Sequence, residues 1–154
     1  MTVNAAGGAR YFLGTTDLAT TVDQFAADSY VEVGEIEDLG QVGDEASVIT
    51  FTSLQDGRVR KFKGPRDAGT MTIVCGDDTS DEGQAAMVAA QETKFDFNMK
   101  VILNDAITLD GTPTILYFYG KVMGDRRNIG NVSNIVKMTF NIGVNSPILV
   151  VPAT

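Results

Sequence analysis

Thr79-Ser80-Asp81-Glu82-Gly83-Gln84-Ala85-Ala86-Met87-Val88-Ala89-Ala90-Gln91-Glu92 is the one convincing helix in this chain, and the residues on either side of it read as β-strand. Thr79 and Glu82 have capping-box spacing, in which the hydroxyl accepts an amide proton of the first turn and the carboxylate reaches back. Asp81 and Glu82 suit the positive end of the helix dipole. Gly83, Ala86, Met87 and Ala90 fall on one stripe at i, i+3, i+4, i+7 spacing, a narrow face of small residues that lets a helix lie close on a sheet. One helix among strands predicts a mainly β fold.

Downstream, Phe95, Phe97, Met99, Val101 and Leu103 alternate with Lys94, Asp96, Asn98 and Lys100, which predicts a strand with one buried face. Residues 112–123 differ: Leu116, Phe118 and Val122 occupy one face while Ile115, Tyr117, Tyr119 and Met123 occupy the other. A strand apolar on both sides must be covered on both sides, by its own fold and by something else. Residues 124–130 read as a charged loop. Residues 135–142 return as a strand with Val136, Met138, Phe140 and Ile142 inward, and 147–151 form an apolar tail.

Upstream of the helix, residues 69–76 predict a strand. Before it, Arg58, Arg60, Lys61, Lys63 and Arg66 put five bases into nine residues. This basic strand is expected to run over 58–63 and to end at Gly64 and Pro65, since proline cannot extend a ladder. It is entered through Gln55-Asp56-Gly57, a turn signal, from an alternating strand over 47–53 with Ile49 and Phe51 on one face. Residues 30–36 and 10–13 read as further strands. Residues 14–29 fit either one weak helical turn or an irregular connection, and residues 1–9 form a small, Gly-rich arm expected to be flexible. The count is about eight strands with one flanking helix over 79–92, a β-sandwich or small barrel, with 10–154 as a single domain.

At 154 residues, 44% hydrophobic and 21% charged, the chain has the composition of an ordinary soluble domain with a real core. No apolar run approaches the roughly 20 residues that span a bilayer, and the N-terminus lacks the basic start and hydrophobic stretch of a signal peptide, so no membrane association is expected. The formal charge of −8 argues against gripping nucleic acid through its phosphates. Residues 1–57 carry ten acids against one base, Arg10, so the acidic and basic regions of the chain are separate. Surfaces of that kind attract copies of themselves.

Histidine is absent, which removes Ser-His-Asp and Cys-His arrangements and most zinc sites. Glu32, Glu35, Glu37 and Asp38 hold enough carboxylates for glycoside hydrolysis, but the chain lacks Trp and no sugar-stacking platform is evident; a solvated strand edge explains them better. Asp77, Asp78 and Asp81 suit helix capping better than a hard cation, as no EF-hand loop is present. The single cysteine, Cys75, sits in an apolar run and reads as a buried small hydrophobe. Gly124-Asp125-Arg126-Arg127 and the basic strand are too short for a nucleic-acid platform and suit a salt-bridging contact surface. No catalytic, cofactor or metal residues are assigned.

The order of elements completes the reading: a strand with an acidic continuation, a hairpin with a basic second strand, then Gly69-Thr70-Met71-Thr72-Ile73-Val74, and the helix with Asp81-Glu82-Gly83-Gln84-Ala85-Ala86. Then come Phe95-Asp96-Phe97-Asn98, Leu116-Tyr117-Phe118-Tyr119-Gly120-Lys121-Val122, and Ile129-Gly130-Asn131-Val132 leading to Val136-Lys137-Met138-Thr139-Phe140. Over residues 46–144 this pattern resembles the major tail tube protein of long, non-contractile-tailed bacteriophages (siphophages), whose fold is shared by contractile-tail and type VI secretion tube proteins. The resemblance implies six copies closing into a ring whose inner strands form one continuous β-barrel, and rings stacking into a tube. Such a tube is a virion component assembled in the bacterial host cytoplasm around a tape-measure protein. It meets tail terminator and distal tail proteins at its ends and passes genomic DNA through its lumen without specific binding. The chain is expected to lack the extra C-terminal immunoglobulin-like domain of some tail tube proteins.

Under that resemblance, Arg58, Arg60, Lys61, Lys63, Arg66 and Asp67 become candidates for ring stacking, through a head-to-tail contact that does not close and so grows a filament. Ile115, Tyr117, Tyr119 and Met123 become candidates for the contact within a ring, and Glu32, Glu35 and Asp96 for the lumen, where like charge would keep phosphates from sticking. Two other readings stand beside it: a type VI secretion-like tube protein, and a monomeric ligand-binding β-sandwich with an exposed pocket.

Overall fold

The structure, a computed structural model, describes residues 3–154; the first two residues of the expected N-terminal arm lie outside the described residues. Among the described residues the chain forms ten strands and two helices: β1 (Arg10–Leu13), α1 (Val22–Ala27), β2 (Val31–Val33), β3 (Ile36–Asp38), β4 (Glu45–Thr52), β5 (Val59–Asp67), β6 (Thr70–Gly76), α2 (Glu82–Gln91), β7 (Phe97–Ile102), β8 (Ile115–Asn128), β9 (Lys137–Val144) and β10 (Leu149–Val151). The fold is mainly β with α2 flanking it, as the sequence predicts.

Eight strands build one antiparallel sheet in the order β2-β1-β7-β8-β9-β6-β3, with β10 also beside β8, and β4 and β5 form a separate ribbon. The end strands β2 and β3 are separated along the chain only by Gly34 and Glu35. Three residue steps span at most about 10 Å, so the two ends of the sheet are held close and the sheet is rolled into a barrel-like body. Glu35 makes the corner in the left-handed region at φ 57°, and its carbonyl accepts from the amide of Gly76 at 2.8 Å.

The core follows the period-two pattern of the strands. Met71, Ile73 and Cys75 from β6, Met99 and Val101 from β7, Phe118 and Val122 from β8, and Met138, Phe140 and Ile142 from β9 are buried together with Met87 and Ala90 of α2. The helix stripe differs by one residue from expectation, because Gly83, Gln84, Met87 and Ala90 are the buried positions and Ala86 is only half-buried. Gly83 is needed for close approach: a Cβ there would overlap the backbone of Glu32 and Val33 on β2. Gln84 is buried because its side chain ties three segments together. Its amide donates to the carbonyls of Gly34 (3.1 Å) and Gly76 (2.8 Å) and its Oε1 accepts from the amide of Asp78 (3.0 Å).

The helix start also departs from the expected capping box. Asp78 accepts from both the amide and the hydroxyl of Ser80, which closes a turn over 78–80 and delays the helix. Asp81 is therefore the N-cap, accepting from the amide of Gln84 at 2.9 Å and from that of Gly34 at 3.0 Å. Thr79 takes no capping role.

Two strands run past their expected ends. β5 continues through Gly64 and Pro65 because the pairing shifts there: Ala46 faces Arg66 and Val48 faces Lys63, which leaves Ser47 opposite a two-residue bulge. In a two-stranded ribbon the outer side of β5 has no partner, so a proline loses no ladder bond. β8 continues through the expected loop to Asn128, with Met123 as the extra residue where Val122 pairs Ile142 and Gly124 pairs Asn141. A polar Gly-Asp-Arg-Arg run suits a strand whose faces are largely solvated.

Residues 14–29 resolve the open alternative in favour of a helical turn, α1, capped by Thr21, whose side chain accepts from Gln24 N. The segment lies over the outer face of β7 and β8. Asp28 accepts from the Thr15 amide (2.9 Å), the Thr15 hydroxyl (2.6 Å) and the Asn98 side chain (2.9 Å). Asn98 also donates to Asp17 O at 2.7 Å and accepts from the Ala19 amide at 3.2 Å. This network explains why Asn98, expected on the solvent face of β7, is fully buried with every polar group satisfied.

Candidate assembly surfaces

The β4–β5 ribbon is where the sequence and the fold part company most usefully. Cross-strand register pairs Ile49 with Phe62 and Phe51 with Arg60 on one face, and Val48 with Lys63, Thr50 with Lys61 and Thr52 with Val59 on the other. Neither face packs on the body. Ile49, Phe51 and Phe62 stay 51%, 57% and 56% exposed, although the alternation over 47–53 is that of a strand with a buried face. A two-stranded ribbon has little stability of its own, and an apolar face left in water on such an element marks a contact surface.

The ribbon also carries the candidate stacking residues. Arg60 pairs with Asp56 at 3.0 Å and Arg66 with Asp44 at 2.5 Å, whereas Arg58, Lys61 and Lys63 form no ion pair among the described residues. Asp67 at the foot of β5 accepts from the amide of Gly69 at 2.8 Å, which shapes the step into β6. The Asp-Gly turn forms as its sequence predicts, with Gly57 at φ 63°.

The candidates for contact within a ring divide. Tyr117 is 5% exposed because Phe25 of α1 stacks on it with ring centroids 5.5 Å apart. Ile115, Tyr119, Leu149 and Val151 pack around that pair. The second apolar face of β8 is thus largely covered by the chain's own α1 segment and β10, and the expectation that Tyr117 needs a neighbouring copy is corrected. Met123 is the exception: the bulge turns it outward, 63% exposed. The sequence lacked any sign that residues 14–29 would fold over this face, because their apolar residues are sparse and their anchor, Asp28 with Asn98, joins positions 70 apart.

The lumen candidates are not brought together. Glu32 takes a two-bond grip from Arg10 at 2.9 and 2.7 Å; the hydrogen bond from Arg10 holds its carboxyl below the usual range. Asp96 accepts from Lys121 at 2.6 Å and from Asn145 at 3.3 Å. Of the three, Glu35, in its corner, is the one exposed carboxylate with no ion pair among the described residues. Beside Glu32, Lys100 lies over the rings of Phe12 and Tyr30 at 4.4 and 4.5 Å. Burial, and then the charge of Arg10, lower its pKa.

Among the described residues no group of three or more His, Cys, Asp or Glu side chains could hold a metal ion. Cys75 is buried, and burial followed by the nearby Asp77 and Asp81 carboxylates pushes its thiol up to about 11, which leaves it protonated and unreactive. Among the described residues no helix is long and apolar enough to cross a membrane. Further apolar side chains are exposed at the β8–β9 turn (Ile129, Val132 and Ile135), between β7 and β8 (Ile107 and Leu109), and singly at Leu54, Phe95 and Val150.

No protein-family model and no curated protein matches the sequence. The structure, in contrast, superposes on chains of solved structures along almost its whole length. A chain of the anti-feeding prophage (AFP) baseplate, solved by cryo-EM with six-fold symmetrisation, is similar at a TM-score of 0.73 and 9% identity, over 99% of this chain and 98% of that one. The SPP1 tail tube, known from solid-state NMR and cryo-EM, is similar at a TM-score of 0.64 and 12% identity, over 92% of this chain and 75% of the other. This chain has the tail-tube fold. The sheath/tube terminator of the extracellular contractile injection system PVC is similar at 0.65 and 10% identity, over 98% of both chains. At identities of 9–12% the likeness is one of fold.

Proposed function

We propose that the chain is the structural subunit of a phage tail tube, a virion protein that closes into six-membered rings and stacks them into a hollow filament. The observation that carries this reading is the β4–β5 ribbon, which leaves the body with an apolar face and three unpaired cations. A monomeric binding protein would have no use for such an element. Rings and their stacking are supported by the fold shared with the SPP1 tail tube and with the six-fold symmetrised AFP baseplate chain. In this role the chain has no active site and no cofactor. It surrounds a tape-measure protein during assembly in the host cell, contacts terminator and distal tail proteins at the ends, and lets DNA pass without specific binding. The surplus of carboxylates over bases suits that passage, since like charge keeps phosphates from adhering.

Negative-stain microscopy of the concentrated purified protein tests the reading. Hollow filaments of uniform width are expected, and dispersed small particles at every concentration would refute it. The similarity to the AFP and PVC chains favours a second reading, the tube of a contractile injection or type VI secretion-like system. Purified protein that stops at single rings under these conditions would select that alternative.

A further inference from the structure

Residues 14–30 leave the barrel and return to it at one point, because Leu13 of β1 and Val31 of β2 are cross-strand partners. The ends of this segment are held together by the β1–β2 ladder, so it can lift without breaking a rung of that ladder. Many of its hydrogen bonds are its own. Asp28 accepts from the Thr15 amide and hydroxyl, Thr21 caps α1, and the Tyr30 hydroxyl donates to Phe25 O at 2.8 Å. Compact loops whose ends are close and whose side chains pack on one another behave as units.

The ties of this segment to the barrel converge on one residue. Among the described residues, every hydrogen bond between residues 14–30 and the rest of the chain is made by Asn98 of β7. Its carbonyl accepts from the Gly14 amide at 2.6 Å and its amide donates to Thr15 O at 3.0 Å. Its side chain holds Asp17 O, the Ala19 amide and the Asp28 carboxylate. The apolar attachment is equally narrow: of residues 14–30 only Ala19 and Phe25 are buried, with Phe25 stacked on Tyr117, while Leu18 and Val22 are exposed. This small cluster is separate from the main one, which joins β1, β2, β6, β7, β8, β9 and α2.

We infer that residues 14–30 are a cover that opens as one unit, with Asn98 as its latch, while the barrel stays folded. A segment with two buried side chains and one latch residue opens at a lower free energy than a barrel whose strands share a continuous core. Opening bares Ile115, Tyr117, Tyr119, Leu149 and Val151 on β8 and β10, an apolar surface that the closed form conceals. The device belongs to the single chain and does not depend on tube assembly.

Native-state hydrogen exchange of the full chain, kept dilute and followed by NMR across a urea series, tests this. The amides of Gly14, Ala19 and Asn98 each lose one latch bond on opening, although they lie far apart in the sequence. They are expected to share a single opening constant, about a hundredfold or more above that of the slowest amides of β6 and β9. Their urea dependence is expected to be shallower, because opening exposes less surface than unfolding does. Asp28→Asn, at a partly exposed position that the chain tolerates more readily than a change at buried Asn98, is expected to raise the shared constant about tenfold for all three amides. Three unrelated rates would mean that the segment frays piecemeal. Rates and urea slopes equal to those of β6 and β9 would mean that it opens only with the barrel. Either result overturns the cover, as does an opening constant that Asp28→Asn leaves unchanged.

Discussion

Truncating Phe62 to alanine is expected to impair assembly far more than folding. Phe62 is 56% exposed in the isolated chain. A phenylalanine buries on the order of 200 Å² when fully covered, so roughly 110 Å² awaits a partner and the rest is shielded within the ribbon, mainly by its cross-strand neighbour Ile49. At about 25 cal/mol per Å² the waiting surface is worth close to 2.7 kcal/mol per copy. Alanine retains the Cβ, which reduces the expected loss to about 2 kcal/mol, roughly thirtyfold in critical concentration. Within the unassembled chain only the cross-strand pair is lost, at most about 1 kcal/mol. Sedimentation of polymer across a concentration series, with urea unfolding of the dispersed protein, separates the two effects. An unchanged critical concentration would refute the reasoning. So would a full 2 kcal/mol loss of stability in the dispersed chain, since Phe62 would then belong to the body.

Three further outcomes follow from the body itself. Gln84→Leu leaves Gly34 O, Gly76 O and Asp78 N without their partner and is expected to cost about 2–4 kcal/mol by denaturant unfolding, because unmet buried polar groups are expensive. Gly83→Ala drives a methyl into the β2 backbone and is expected to destabilise by about 3 kcal/mol or prevent soluble expression, whereas Ala85→Gly, on the exposed side of α2, costs about 1 kcal/mol. Burial acts to raise the pKa of Asp28, but hydrogen bonds from the Thr15 hydroxyl and amide and from Asn98 outweigh it and lower the pKa. Its contribution to stability is therefore complete above the ordinary carboxylate range and lost as pH falls through the lowered value. Asp28→Asn is expected to be less stable at neutral pH and to show a flatter acid limb in pH-dependent unfolding.

The legible part of the fold was local. α2 follows from its stripe and acidic start, and the burial of Met99, Val101, Met138, Phe140 and Ile142 from alternation along β7 and β9, whereas Phe95 and Val136, expected inward by the same pattern, lie just before those strands and are exposed. Local composition misled where an element was solvated or bulged. Pro65 and Gly124 read as ends, yet β5 and β8 absorb them because a partner strand supplies the continuity. Of the candidate surfaces, the basic run over 58–66 was legible as a cluster and stands exposed on the ribbon. Glu32 and Asp96 were not legible as paired, because Arg10 and Lys121 lie 22 and 25 residues away.

The sequence by itself determined the chemical inventory and the local geometry: no histidine, an acidic surplus, one concentrated basic run, and alternations that admit strands almost throughout. Only the tertiary structure decided which apolar faces are covered. Tyr117 and Phe62 lie in strands of similar pattern, yet Phe25 closes over the first while the second stays 56% exposed. Burial depends on which distant segment packs where, and periodicity along a strand holds no information about that partner.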